Sequence, residues 1–166
     1  MSSLSSTKAF FMKGCVYMKK LLLFTSFICL IMTSGCSNEV KDTSQVNVSI
    51  SIEQIKEDVS VLNEAKQAIL PQGDYILEPT NVSFEEGDSA IEVLQEVCKE
   101  QKIQLELSDS YIQGIGNIYE FDAGDMSGWL FKVNGEMPTL GADAYLVEED
   151  DELNWYYCVD YMKEFE

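Results

Sequence analysis

The segment at residues 128–138 constrains the fold of this chain more than any other. Trp129, Phe131 and Val133 alternate with Leu130, Lys132 and Asn134, which predicts a β-strand with one apolar face. The dipeptide Asn-Gly at 134–135 follows at once, and both residue types tolerate the positive φ of a two-residue type I′ turn. We therefore expect a strand that ends in a tight hairpin turn.

A second strand is predicted at residues 153–157, Leu-Asn-Trp-Tyr-Tyr, after an acidic turn at residues 149–152. The chain has two tryptophans, and Trp129 and Trp155 each fall within one of these strands. The domain is therefore expected to be built around a C-terminal sheet.

Two earlier segments carry strong local signals. Residues 46–52 place a β-branched apolar residue at every second position, which predicts a half-buried strand. Ser89 is followed three residues later by Glu92, the spacing of a helix capping box. Apolar residues at helical spacing then predict the strongest helix of the chain, with a buried face formed by Ile91, Leu94, Val97 and Cys98.

The remaining segments carry weaker signals. Residues 53–70 favour a broken amphipathic helix, with Asn63 as a second cap. Two short strands are predicted at 75–78 and 81–84, divided by Pro79 and lying at a sheet edge because proline donates no ladder hydrogen bond. Strands interrupted by one strong central helix favour a single α+β domain over a doubly wound α/β sheet.

The N-terminus has the order of a lipoprotein signal. Lys19 and Lys20 precede an apolar run at 21–32 that is shorter than the roughly 20 residues of a spanning helix. The run ends at Thr-Ser-Gly-Cys, with a small residue directly before Cys36. We expect residues 1–35 to be a signal peptide, with 1–17 an over-extended start, and Cys36 to become a lipid anchor. An uncleaved anchor and a plain secretory signal are the alternatives.

The predicted organisation after the signal is a tether at residues 36–45 and a domain at residues 46–166, on the extracytoplasmic face of the cell membrane. Four of the 11 basic residues precede Cys36, and all 29 acidic residues follow it, so 7 lysines would face 29 carboxylates for a net charge of −22. This charge repels nucleic acid and anionic lipid head groups, and it favours cations, cationic partners or simple solubility.

Composition also limits the chemistry. The chain has no histidine, which excludes Ser-His-Asp and Cys-His catalysis, His-ligated zinc and imidazole acid–base chemistry. No spacing of carboxylates singles out a catalytic pair. Outside the cytoplasm, Cys98 and Cys158 would form either one disulfide or two buried thiols.

Several motifs together resemble the bacterial transcobalamin-like C-terminal domain family. These are Gly-Trp-Leu-Phe-Lys-Val-Asn-Gly at 128–135, Gly-Asp-Ser-Ala-Ile-Glu-Val-Leu at 87–94 and Tyr-Ile-Gln-Gly-Ile-Gly-Asn-Ile-Tyr-Glu-Phe-Asp at 111–122. The resemblance covers roughly residues 46–160. It implies a β-grasp-like fold, in which a mixed sheet wraps one helix, and it implies no enzymatic activity.

The resemblance also has implications for the ligand of this domain and for disulfide pairing. The vertebrate carriers that the domain resembles use this part to cover a corrinoid held against a larger helical domain. A corrinoid role here would require a second chain to supply that domain. The family often carries cysteine at the positions of Ala123 and Cys158, and alanine at 123 rules out that pairing.

Two sets of residues are candidates for binding. Aromatic residues of the last third would either stack on a ligand or fill the core, and the apolar segment 136–142 is unusual for a loop. The ligand-binding candidates are Trp129, Met137, Pro138, Leu140 and Tyr119. Two acidic loops would form either an alternative cation site of the Ca²⁺ type or solvated turns. The candidate cation ligands are Asp122, Asp125, Glu149, Asp150 and Asp151. A small-molecule or protein ligand, a cation and a structural adhesion role are the competing functions.

Overall fold

The computed structural model describes residues 44–165, and Asp42–Glu166 separate as one compact unit. The predicted signal peptide, the lipid site Cys36 and nearly all of the predicted tether lie outside the described residues. None of the helices between residues 44 and 165 is long and apolar enough to cross a membrane.

A four-stranded mixed sheet forms the main layer. Its strands are β1 (Gln45–Ser51), β2 (Tyr75–Ser83), β6 (Gly128–Val133) and β7 (Glu152–Cys158), in the order β2-β1-β7-β6. The central pair β1 and β7 is parallel, and both outer pairs are antiparallel. A smaller antiparallel sheet has the order β3 (Leu105–Ser108), β4 (Tyr111–Ile115), β5 (Ile118–Tyr119).

One long helix and three short ones complete the described structure. They are α1 (Glu53–Glu57), α2 (Glu64–Gln67), α3 (Ala90–Gln101) and α4 (Tyr161–Glu164), with a 3-10 turn at Val59–Val61. The predicted break in residues 53–70 is confirmed, because α1, the 3-10 turn and α2 divide this segment. Asn63 is also confirmed as a cap, since its side-chain oxygen accepts a hydrogen bond from the Lys66 N–H at 3.0 Å.

The helix α3 supplies the buried centre of the domain. The Glu92 carboxylate accepts from the Ser89 hydroxyl at 2.6 Å and from the Ser89 N–H at 2.8 Å, as the capping box predicts. These two hydrogen bonds hold the pKa of Glu92 below its usual range. Ile91, Leu94 and Val97 are buried in the same cluster as the inward side chains of the sheet. The predicted α+β fold, with a mixed sheet packed on one central helix, is confirmed.

The predicted hairpin turn is also confirmed. Asn134 and Gly135 have φ values of 53° and 82°. The N–H groups of Val133 and Glu136 each bond the other residue's carbonyl, at 2.8 and 3.0 Å. This one bridge between Val133 and Glu136 closes the hairpin turn. In the sheet, β6 pairs with β7, and Phe131 lies opposite Trp155.

The predicted division of β2 at Pro79 is wrong, although its place at the sheet edge is correct. One continuous strand runs through the proline. Val48 lies opposite Thr80 whereas Ile50 lies opposite Leu77, so one extra residue of β2 is absorbed between these pairs. Such a bulge leaves one residue of β2 outside the hydrogen-bond ladder. Pro79 has no N–H, and at this position its absence removes no ladder hydrogen bond.

Of the two alternatives for Cys98 and Cys158, two buried thiols are confirmed, because both residues are free and buried. Burial raises the pKa of the Cys98 thiol to about 12. A thiol in this state carries no appreciable thiolate near neutral pH, and it therefore behaves as a small apolar core residue.

The short helix α4 is attached to the outer face of the sheet by Glu164. Its Oε1 accepts from Lys132 Nζ at 2.9 Å and from the Tyr156 hydroxyl at 2.7 Å, and its Oε2 accepts from Gln54 Nε2 at 3.3 Å. The hydrogen bond from Lys132 is the main cause of a Glu164 pKa below the usual range. The carboxylate form of Glu164 therefore stabilises the fold.

We predict a pH-dependent effect of Glu164→Gln. A carboxylate with a lowered pKa in the folded state contributes stability above its unfolded pKa, and that contribution disappears as the pH falls through the folded pKa. Urea unfolding near pH 7 should show a loss of about 1 kcal/mol, and the gap to the parent chain should shrink toward about pH 2.5. The exposed Glu100→Gln serves as control. A gap that is constant with pH would contradict the assigned role.

Candidate functional site

An apolar groove of about 210 Å³ opens beside β6, at the outer end of the four-stranded sheet. Three separate parts of the chain line it: β6 with its partner β7, the start of β4, and the segment after the hairpin turn. The lining residues include Tyr111, Ile112, Trp129, Phe131, Met137, Pro138, Ala142 and Trp155.

Stacked aromatic rings form part of this lining. Phe131 and Trp155 lie directly opposite each other in the β6–β7 pair, so their rings share one face of the sheet. The ring centroids are 4.8 Å apart and the planes are inclined by 22°. Trp129 meets Tyr157 edge-on, with centroids 5.3 Å apart. The groove therefore offers a flat, apolar contact surface of the kind that packs against planar groups.

The two indole N–H groups differ in their hydrogen bonding. Trp129 Nε1 donates to the Ile118 carbonyl at 2.9 Å. Trp155 is 1% exposed, and its Nε1 has no hydrogen-bond partner within residues 44–165. A buried donor without an acceptor costs about 1–3 kcal/mol, and such groups are rare in folded proteins. The uncompensated donor therefore belongs to one of the residues that line the groove.

The segment that carries Met137 and Pro138 is anchored at both ends. Asp151 is 5% exposed, and its carboxylate accepts from Asn134 Nδ2 at 2.8 Å, from the Tyr145 hydroxyl at 2.9 Å and from the Glu148 N–H at 3.0 Å. Burial is the main cause, and the hydrogen bond to Asp151 the second, of a Tyr145 pKa raised to about 12. The Tyr145 hydroxyl therefore remains a donor.

A further attachment joins this segment to the central helix. The Ala142 carbonyl accepts from the Ile91 N–H at 3.0 Å, and the Tyr145 carbonyl accepts from the Ala90 N–H at 2.9 Å. These bonds use donors of the first turn of α3, which have no partner inside the helix. The groove is consequently held in shape by the same helix that fills the core.

The structure brings three of the five predicted ligand residues together: Trp129, Met137 and Pro138 all line the groove. Leu140 is 53% exposed and lies outside the lining. Tyr119 is also outside it. Core packing and ligand contact, the two alternatives for the aromatic residues, are compatible here, because the rings of Trp129, Phe131 and Trp155 pack in or against the core cluster and also border the groove.

Tyr119 has a structural role elsewhere. Lys66 Nζ lies 4.5 Å from the centre of its ring, and its hydroxyl accepts from Gln104 Nε2 at 3.2 Å. A Cβ on Gly114 would come within 2.7 Å of the ring, so Tyr119 also occupies the space that this glycine leaves open. Sequence reasoning missed Tyr111, Ile112 and Ala142, for which no local pattern indicates a ligand site.

The five candidate cation ligands do not form a site. Asp122 pairs with Lys66 Nζ at 2.9 Å and accepts from the Tyr119 N–H, and Asp151 is occupied as described above. Asp125, Glu149 and Asp150 are exposed. Across the described part of the chain, no group of three or more acidic, cysteine or histidine side chains is placed to hold a metal ion.

Comparison with known proteins gives a partial match. The family profile of a domain of unknown function, DUF4430, matches residues 87–158, from the turn before α3 to the end of β7. No curated protein sequence matches the chain. Seventeen chains of solved structures match.

The first is haptocorrin in complex with Cbi, at 18% identity and a TM-score of 0.46, over 70% of this chain and 25% of that one. The chain thus spans about a quarter of haptocorrin's length. The second is a "putative metal binding protein" from Ruminococcus gnavus, at 12% identity and a TM-score of 0.41, over 71% of this chain and 99% of that one. Similarity at this level carries no conclusion about what the present chain binds.

Proposed function

We propose that the chain is a non-catalytic binding domain on the outer side of the cell membrane, held there by lipid on Cys36, with the groove beside β6 as its binding site. The lipid anchor is supported by the sequence order at residues 19–36. The absence of histidine and the neutral thiol of Cys98 support a role without catalysis.

An apolar groove lined by the stacked rings of Phe131 and Trp155 is the observation that carries the binding site. Trp155 Nε1 is fully buried and has no acceptor among the described residues, so a ligand would relieve its desolvation cost only if the indole moves toward the groove on binding. The same ligand would pack a flat apolar group on the surface that includes Phe131 and Trp129. The net charge of −22 that remains after cleavage before Cys36, from 7 lysines and 29 carboxylates, further favours a neutral or cationic ligand over an anionic one.

The size of the groove limits how the ligand is held. Sites that enclose a drug-sized ligand have volumes of roughly 300–1,000 Å³, and this groove has about 210 Å³. It would therefore contact one edge of a larger molecule and leave the remainder open or covered by another protein. A corrinoid-type ring, which the family resemblance implies, is the specific small molecule we propose to test, because it is broad, flat and carries peripheral amide acceptors.

The test is calorimetric titration of the chain from Ser37 onward with cyanocobinamide and, separately, with the neutral planar dye Nile red. We expect saturable one-site binding and a higher melting midpoint at excess ligand. Ca²⁺ and a chelator form the third arm, and neither should move the midpoint. Binding of neither planar compound would contradict the proposed site, whereas binding of Nile red alone would contradict only the corrinoid assignment.

The anchor needs a separate measurement. Mass spectrometry of the chain from membrane fractions should find Cys36 at the N-terminus and lipidated. Unmodified Cys36 preceded by residues 1–35 would contradict the proposed attachment and would favour the uncleaved-anchor alternative.

A further inference from the structure

Met137 has an unusual polar neighbour for an apolar wall residue. It lines the groove, and its side chain is 37% exposed. The Tyr156 hydroxyl lies 3.4 Å from Met137 Sδ and 2.7 Å from Glu164 Oε1. A hydroxyl has one proton, so the two acceptors compete for it, and the carboxylate is much the stronger acceptor of the two.

The Tyr156 hydroxyl keeps this proton under all ordinary conditions. Burial, and next the hydrogen bond to Glu164, raise the pKa of Tyr156 far above its usual value. The thioether of Met137 is a weak acceptor, so the Tyr156 hydroxyl donates its hydrogen bond mainly to Glu164. Any change that makes the Met137 side chain a stronger acceptor would therefore alter this competition.

Oxidation makes that change. A peroxide transfers one oxygen to the sulfur: an S–O bond forms, the O–O bond breaks, and water leaves when the peroxide is hydrogen peroxide. The sulfur loses two electrons and the peroxide gains them. The product, methionine sulfoxide, is polar and chiral at sulfur, and its reversal is carried out by one reductase for each epimer.

We propose that Met137 is an oxidative modification site, at which a peroxide forms a sulfoxide that bonds the Tyr156 hydroxyl and closes the groove to apolar ligands. The proposal rests on the proposed binding function of the groove. The Tyr156 hydroxyl would use one lone pair of the sulfoxide oxygen, and covering the remaining acceptor capacity with an apolar ligand would remove its hydration without a replacement, which opposes binding. The Tyr156 hydroxyl occupies a defined position around the sulfur, and one sulfoxide epimer should therefore predominate.

Two other methionines of the described residues provide internal controls. Met126 is 43% exposed and Met162 is 63% exposed, so both are accessible to peroxide. Neither lines the groove. Their oxidation should leave binding at the groove unchanged, which separates a specific effect at Met137 from general oxidative damage.

The test treats the chain from Ser37 onward with hydrogen peroxide, maps the modified peptides by mass spectrometry, and measures Nile red affinity before and after. We expect the parent chain and Met126→Leu to lose affinity by about tenfold or more after oxidation. Met137→Leu should have the same affinity before and after treatment. The reductase for one epimer should restore the parent chain, and the other should not.

Three results would overturn the proposal: unchanged affinity of a parent chain that is fully oxidised at Met137, an equal loss in Met137→Leu, or equal amounts of both epimers. Tyr156→Phe should abolish the epimer preference in a chain that still shows its folded circular dichroism spectrum. If the untreated parent chain fails to bind Nile red, the proposed groove function is wrong and this proposal falls with it. Binding that survives oxidation overturns the modification site alone.

Discussion

Replacing Leu94 with alanine should lower the free energy of unfolding by about 3 kcal/mol. Leu94 is fully buried on the face of α3 that packs into the common core with β1 and β7. The substitution removes three carbon atoms, and the surrounding strands cannot collapse into the space, because the parallel pair β1–β7 is fixed by its own ladder. Urea unfolding followed by far-ultraviolet circular dichroism measures the change.

Glu100→Ala is the matched control for this prediction. Glu100 lies on the exposed side of the same helix, and its replacement should change stability by less than about 0.5 kcal/mol. Equal effects of the two substitutions would mean that α3 does not pack on the sheet through the face that contains Leu94. The description of the fold as a mixed sheet packed on one central helix would then lose its support.

Ala142→Leu should weaken Nile red binding by at least about tenfold, which corresponds to about 1.4 kcal/mol. The Ala142 side chain lines the groove, and a longer side chain there would occupy the space that the ligand needs. Its backbone carbonyl, which accepts from the Ile91 N–H, is unaffected by the change. Stability should therefore change by no more than about 1 kcal/mol, and calorimetric titration measures the loss of affinity.

Ala144→Leu makes the same chemical change two residues away. Ala144 is exposed and lies outside the groove lining, so this variant should bind Nile red as the parent chain does. Equal weakening by both substitutions would indicate a general disturbance of the loop. Undiminished binding in Ala142→Leu would place the ligand elsewhere on the domain.

The features that could be predicted from the sequence depend on neighbours along the chain. The Asn134-Gly135 turn follows from the φ values that these residues tolerate. The start of α3 follows from the three-residue spacing of Ser89 and Glu92. In both cases the residues that decide the structure lie within a few positions of one another, and a short pattern therefore contains the necessary information.

Sequence patterns fail, or leave alternatives open, where distant residues decide the outcome. The pattern predicts a strand divided at Pro79, but a bulge against β1, about thirty residues earlier in the chain, accommodates the proline. Lys66, from a distant segment, covers the ring of Tyr119, and no local pattern indicates this contact. The choice between a disulfide and two thiols at Cys98 and Cys158 likewise depends on a tertiary distance that spacing along the chain does not determine.

The groove illustrates the same limit. Met137 and Pro138 were identified because apolar residues are unusual in a loop, but Tyr111 and Trp155 reach the groove from β4 and β7. A tryptophan within a strand gives no sign of whether its N–H will find an acceptor. In this structure Trp129 finds the Ile118 carbonyl and Trp155 finds none among the described residues. This difference arises only when the two sheets pack together.

The two indole groups permit a direct test of the binding site by ¹⁵N–¹H correlation spectroscopy. Each tryptophan gives one indole Nε1–H signal, and Trp155→Phe assigns them. On titration with Nile red, the Trp155 signal should move, because its ring lines the groove and its N–H is not held by an acceptor, while the Trp129 N–H, already bonded to the Ile118 carbonyl, should shift much less. Saturable binding that leaves the Trp155 signal in place would contradict the groove as the site.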